Sequence, residues 1–178
     1  MKMKKFKTKK LVLAAMFLSI GFVLPLLTGQ IKEIGDTLLP MHIPVMLCGL
    51  ICGEKYGFSV GIILPFLRSV VFGMPPIYPN AVWMAIELAT YGFVIGLMYS
   101  KMNFKNTKGV YISLISAMLI GRIAWGISKA ILLGVGGKAF TISMFLVGGF
   151  ADAVLGIILQ LILIPFIMSI LNKRISKE

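Results

Sequence analysis

Six apolar runs, most of them long enough to cross a bilayer as helices, occupy almost everything between Lys10 and Leu171. The hydrocarbon core of a membrane is about 30 Å thick, so a spanning helix needs about 20 apolar residues. Within that core every backbone N–H and C=O must be satisfied internally, which leaves only helices or a closed barrel. The runs are continuous rather than alternating. The expectation is therefore an all-α membrane protein with six transmembrane helices in a single domain over residues 1–178. The approximate spans are residues 10–28, 39–53, 56–72, 80–100, 109–134 and 141–171. Only 13% of residues are charged and 58% are hydrophobic, whereas soluble domains are about a quarter charged.

The net charge of +12 raises nucleic acid as a partner, and its distribution argues against that. Lys2, Lys4, Lys5, Lys7, Lys9 and Lys10 precede the first run; Lys101, Lys105 and Lys108 share one linker; Lys173, Arg174 and Lys177 form the tail. Basic clusters at span ends set orientation through the positive-inside rule. With the N-terminus inside, thirteen of the eighteen basic residues are cytoplasmic, and the outer linkers hold only Lys32 and Lys138. The expectation is that both termini are cytoplasmic and that no nucleic acid is bound. The basic start and Leu11–Leu27 follow the pattern of a signal peptide, but no small-residue cleavage site follows. That run is expected to be a retained first helix.

Charges inside the spans are the chemically informative residues. Arg68, Glu87, Arg122, Lys129 and Asp152 all fall within apolar runs. Left unpaired at mid-bilayer they would cost roughly 10–15 kcal/mol together, at about 3 kcal/mol each. They must pair, meet water or meet a ligand. In the expected topology nearly all of them lie at the depth of the outer leaflet, Arg122 nearer the middle, together with Asn80, Trp83, Trp125 and His42, the sole histidine. Asn80, Trp83, Glu87 and Tyr91 share one helical face, and Arg122, Trp125 and Lys129 share another. Singly, each also fits a structural ion pair or an interfacial aromatic belt. Jointly they describe a cavity that opens outward, with three cations against two carboxylates, suited to an anionic or hydroxyl-rich small molecule. The candidate substrate-binding residues are Asn80, Trp83, Glu87, Arg122, Trp125, Lys129, Arg68, Asp152 and His42.

A proline loop leads into that cavity. Gly73, Pro75, Pro76 and Pro79 fall within seven residues, and proline both fixes φ and removes a donor, so the segment cannot be helical. It is expected to form the rim. Cys48 and Cys52 lie one helical turn apart without further ligands and read as small buried hydrophobes. No GxxxxGK[ST] phosphate loop is present, since Gly136-Gly137-Lys138 is followed by Ala139. The chain is not expected to be an enzyme, to hold a metal or cofactor, or to hydrolyse ATP. Uphill transport would draw on a partner or an ion gradient.

Ala14, Ala15, Ser19 and Gly21 make a strip of small residues on the first span, with Ala15 and Ser19 in small-xxx-small spacing. Such strips let helix backbones approach closely in lipid. Ala14, Ala15 and Ser19 are the candidate partner-docking residues.

In this order, Lys10-Leu-Val-Leu-Ala14-Ala15, Leu39-Pro-Met-His42-Ile-Pro44, Gly49 to Gly61, Gly73-Met-Pro-Pro-Ile-Tyr-Pro-Asn80-Ala and Glu87-Leu-Ala-Thr-Tyr91-Gly resemble the S components of energy-coupling factor (ECF) vitamin transporters. The resemblance covers essentially the whole chain. It implies a bacterial plasma-membrane protein that captures a vitamin from outside and docks, through its first span, on a transmembrane coupling subunit carrying two cytoplasmic ATPases. It also implies that the loops after spans one, three and five border the substrate, and that the component topples in the bilayer to deliver it. The cation excess makes pantothenate the first candidate, with pyridoxine, riboflavin and folate behind it. A self-sufficient ion-coupled carrier, with Glu87 and Asp152 as proton sites, and a non-transporting scaffold are the rival readings.

Overall fold

A computed structural model describes residues 2–26, 37–102 and 106–175. Among these residues the chain is helical with no strand. The main helices are α1 (Lys2–Val23), α2 (His42–Cys52), α3 (Glu54–Phe72), α4 (Val82–Lys101), α5 (Thr107–Val135), α6 (Ile142–Leu146) and α7 (Val154–Ile175).

Local chemistry sets their ends. Gly53, at φ 100° and ψ 173°, occupies a conformation costly for any residue with a Cβ, and so it separates α2 from α3. Gly73 closes α3 in the left-handed region, its N–H donating to the Ser69 carbonyl at 3.0 Å, a common helix stop. The proline segment then leads to a wide turn, Ile77–Ala81, in which Tyr78 is extended. Asn106 Oδ1 accepts from Gly109 N at 3.1 Å and caps α5, and Thr141 Oγ1 does the same for Met144 N at 3.3 Å in α6.

Five segments are long and apolar enough to cross a membrane: Lys7–Leu26, Glu54–Phe72, Ile77–Lys101, Thr107–Val135 and Val154–Asn172. Two of the expected spans differ. α2 has only 11 residues, about 16 Å of helix, roughly half the hydrocarbon thickness. The run 141–171 is not one rod but α6, a wide turn at Val147–Ala151, and α7. Thr28, the linker Gly29–Asp36, Lys105 and Lys177, on which the topology count partly rests, lie outside the described residues.

The shortness of α2 is explained by where it sits. One face, Ile43, Met46, Leu47 and Leu50, packs with Tyr91, Ile95, Leu114, Ala117, Ile164 and Met168 of α4, α5 and α7. The other, Val45, Cys48 and Cys52, packs with Ala14 of α1, Val60 and Leu64 of α3, and Leu88 of α4. A helix apolar on every side belongs in the centre of a bundle, and α2 is the pillar of this one. Cys48 and Cys52 are buried and free, as the sequence implies.

Against this pillar α3 and α4 meet backbone to backbone. A Cβ added at Gly92 would overlap the main chain of Gly57, and one at Gly61 would meet the main chain of Leu88 and Ala89 at 2.5 Å. Lipid supplies no hydrophobic force between helices, so close approach through small residues is what holds them. On α5 the polarity is inverted relative to a soluble helix: Ile112, Ile115, Leu119, Ile123, Ile127 and Ile131 are exposed, while Ser113, Arg122 and Ser128 are buried.

Candidate functional site

α4 and α5 lie side by side, and their polar faces meet. Arg122 Nη1 donates to Glu87 Oε1 at 2.8 Å, with both side chains almost wholly enclosed. His42, at the start of α2, brings Nε2 to 3.5 Å from the same oxygen, and its ring stands edge-on to Tyr91 with centroids 5.2 Å apart. One carboxylate thus faces a guanidinium and an imidazole. Removing two such charges from water is costly and is offset only by close pairing.

Arg122 is incompletely used. Its Nε and Nη2 are buried with no hydrogen-bond partner among the described residues. These two nitrogens form one edge of the planar guanidinium, the spacing that takes a carboxylate in a two-pronged hydrogen bond. The same guanidinium lies 5.9 Å from the Trp125 ring, the start of an aromatic wall.

Two turns beyond Arg122 on α5, Lys129 Nζ is 4.5 Å from the Trp125 ring, 5.4 Å from Trp83 and 5.7 Å from Phe140. Each such contact is worth about 0.5–2 kcal/mol, more when water is excluded. Trp125 is in turn packed by Phe140 and Phe145, with centroids at 6.1 Å for each, and by Gly148, where an added Cβ would lie 3.3 Å from the indole. The turn between α6 and α7 therefore presses on the aromatic wall.

Of the sequence-predicted residues, His42, Trp83, Glu87, Arg122, Trp125 and Lys129 come together. Asn80 is half-buried in the turn just ahead of Trp83. Arg68 is elsewhere: its Nη1 donates to the Phe22 carbonyl at 2.6 Å and its guanidinium lies over Phe72 at 5.2 Å. That arrangement ties α1 to α3, so Arg68 is a clasp and not part of the cluster. Asp152 is exposed on the turn before α7, which removes the second expected carboxylate from the cluster. The small-residue strip is also divided. Ala14 is buried in the chain's own core and Gly21 lies against the Leu64 side chain. Ala15 and Ser19 are exposed, with Ser19 Oγ donating to the Ala15 carbonyl at 3.0 Å.

Two further residues lie outside the set of site residues expected from the sequence. Phe140 follows the glycine cluster and gave no periodic signal. Gln160 is the only polar side chain between Val154 and Met168, and that isolation was the available clue.

The family model described as ECF transporter, substrate-specific component, matches residues 9–171. The chain belongs to this family. No curated protein and no solved structure gave a match.

As an S component the chain is a multi-pass membrane protein of substrate-specific, vitamin-type transport, a transport subunit. One sequence pattern could be mistaken for contrary evidence. Gly57-Phe58-Ser59-Val60-Gly61 matches the GxSxG nucleophile pattern, which works only on a sharp strand-to-helix turn. In this S component it lies inside α3, where Ser59 Oγ donates to the Lys55 carbonyl at 2.9 Å. Its glycines serve the α3–α4 joint.

Proposed function

We propose that this S component binds an anionic vitamin, with pantothenate the first candidate, through the Arg122–Glu87–His42 cluster and the aromatic wall beside it. The observation that carries the reading is the unused edge of Arg122. A fully enclosed guanidinium with one nitrogen paired to Glu87 and two nitrogens unmet favours a ligand carboxylate. Lys129, half-buried among Trp83, Trp125 and Phe140, adds positive potential and a planar apolar surface. Glu87 already faces Arg122 and His42, and Asp152 is exposed, which disfavours a proton-coupled carrier built on those two carboxylates.

In this reading the chain spans the membrane six times, α2 standing as the short second span, with both termini in the cytoplasm. The cluster then lies in the outer half of the bilayer and Gly73–Pro79 forms its rim. The chain docks, with Ala15 and Ser19 on the docking face, on a transmembrane coupling subunit whose two cytoplasmic ATPases energise delivery of the substrate across the plasma membrane of a bacterial cell. Pyridoxine, riboflavin and folate are the alternative substrates.

Thermal unfolding of the purified protein with each of these vitamins tests the reading. Pantothenate should raise the midpoint. A response to neutral pyridoxine with none to pantothenate would overturn the assignment of an anionic substrate.

A further inference from the structure

Among the described residues, the last long helix carries one buried polar side chain, and the cluster above does not use it. Gly156, Gln160, Ile164 and Met168 follow one another at four-residue steps and all are buried, so they form the inward face of α7. The neighbours on either side of Gln160 in this row fix what it faces. A Cβ at Gly156 would come within 2.7 Å of the Thr37 carbonyl oxygen and 3.0 Å of the Leu38 main chain, just ahead of α2. Ile164 belongs to the cluster with Ile43, Met46 and Leu47. Gln160, between them, lies on the face of α7 turned toward α2, the helix that His42 begins.

Gln160 is 1% exposed, and its Nε2 has no hydrogen-bond partner among the described residues. His42 Nδ1 is in the same condition, in a residue 2% exposed. An unsatisfied buried polar atom is destabilising, and a leucine in the same place would avoid that cost. Two unmet polar groups on the facing sides of packed helices point to a ligand that satisfies them.

We propose that Gln160 and His42 form a second, uncharged pole of the binding site, which hydrogen-bonds a hydroxyl or amide of the substrate while Arg122 takes its carboxylate. This rests on the reading of Arg122 given above. His42 links the poles, because its other nitrogen faces Glu87, the partner of Arg122. A carboxamide presents both a donor and an acceptor, which matches a hydroxyl or amide better than a carboxylate. The substrate class is thus a small acid with a hydroxyl or amide set away from its acid group. Pantothenate has that layout.

The test uses the purified full-length protein, its Gln160→Leu variant and the shape-matched Gln160→Met variant. The probes are pantothenate and its analogue lacking both hydroxyls, followed by thermal unfolding and calorimetric titration. Without ligand, the variants should melt at or above the wild-type temperature. They should bind pantothenate at least tenfold more weakly and no longer distinguish it from the analogue. Lower ligand-free melting with unchanged pantothenate affinity in both variants would overturn the proposal and make Gln160 a structural group. If the wild type responds only to pyridoxine or riboflavin, the carboxylate reading of Arg122 fails. The variants are then compared on that vitamin, where unchanged affinity overturns the role of Gln160 as well. A wild type that responds to none of these vitamins overturns both readings.

Discussion

Arg122 Nη1 and Glu87 Oε1 meet at 2.8 Å, joining α4 to α5 through two charges that have almost no access to solvent. A pair of this kind contributes little net stability when intact, yet it is costly to break from one side because the survivor remains buried and uncompensated.

Glu87→Ala should therefore destabilise the protein by about 3–5 kcal/mol. The double variant Glu87→Ala with Arg122→Met should recover much of that loss. Thermal unfolding in detergent checks both. A single variant as stable as the double would show that the charges are not coupled.

Arg122→Lys separates charge from shape. Lysine keeps the cation opposite Glu87 but lacks the planar edge formed by Nε and Nη2. Pantothenate affinity should fall about 10–100-fold, the equivalent of about 1.5–3 kcal/mol for hydrogen bonds to a charged group, while the protein still folds. Affinity within threefold of wild type would mean that the free edge of Arg122 does not meet the substrate.

Arg68→Met should have the opposite profile. It removes the clasp on the Phe22 carbonyl and the stacking on Phe72, so stability should drop by about 1–3 kcal/mol with vitamin affinity little changed. Asp152→Asn, at an exposed position, should alter neither. A large loss of affinity in either variant, measured by calorimetric titration, would return that residue to the binding site.

Gly92→Leu should prevent assembly of the bundle, because any side chain there collides with the backbone of Gly57. Gly134→Ala is the control, since an added Cβ at Gly134 meets nothing within 4 Å. Size-exclusion chromatography of the extracted proteins should give a monodisperse peak for the control and aggregate for Gly92→Leu.

Much of this molecule was legible in the sequence because spans and faces depend on short-range periodicity. The spacing of Trp83 and Glu87, and of Arg122, Trp125 and Lys129, was enough to place them on common faces. Depth alone could not tell which charges meet. Arg68 shares the depth assigned to the cluster, yet it bonds a main-chain carbonyl on α1, a partner with no side-chain signature. The apolar run 141–171 predicts one continuous helix that includes Asp152, and the chain instead makes a wide turn at Val147–Ala151, with Asp152 exposed directly after it. The shortness of α2 is visible in the sequence, but an apolar run does not reveal that protein rather than lipid surrounds it. Gln160 is a lone polar residue in an oily helix, and only the burial of Gly156 and Ile164 beside it shows that it lies on the inward face of α7.

The contact of Gly57 with Gly92 has a mechanical consequence. Two main chains that touch have no rotamers with which to yield, so α3 and α4 cannot shear past each other without collision. α4 and α5 meet instead through side chains, with Gly121 lying against the ring of Tyr91, and side chains can repack. Stiffness is therefore unevenly distributed across the bundle. Any gap wide enough to admit a vitamin has to form on the compliant side, where Arg122, Trp125 and Lys129 stand.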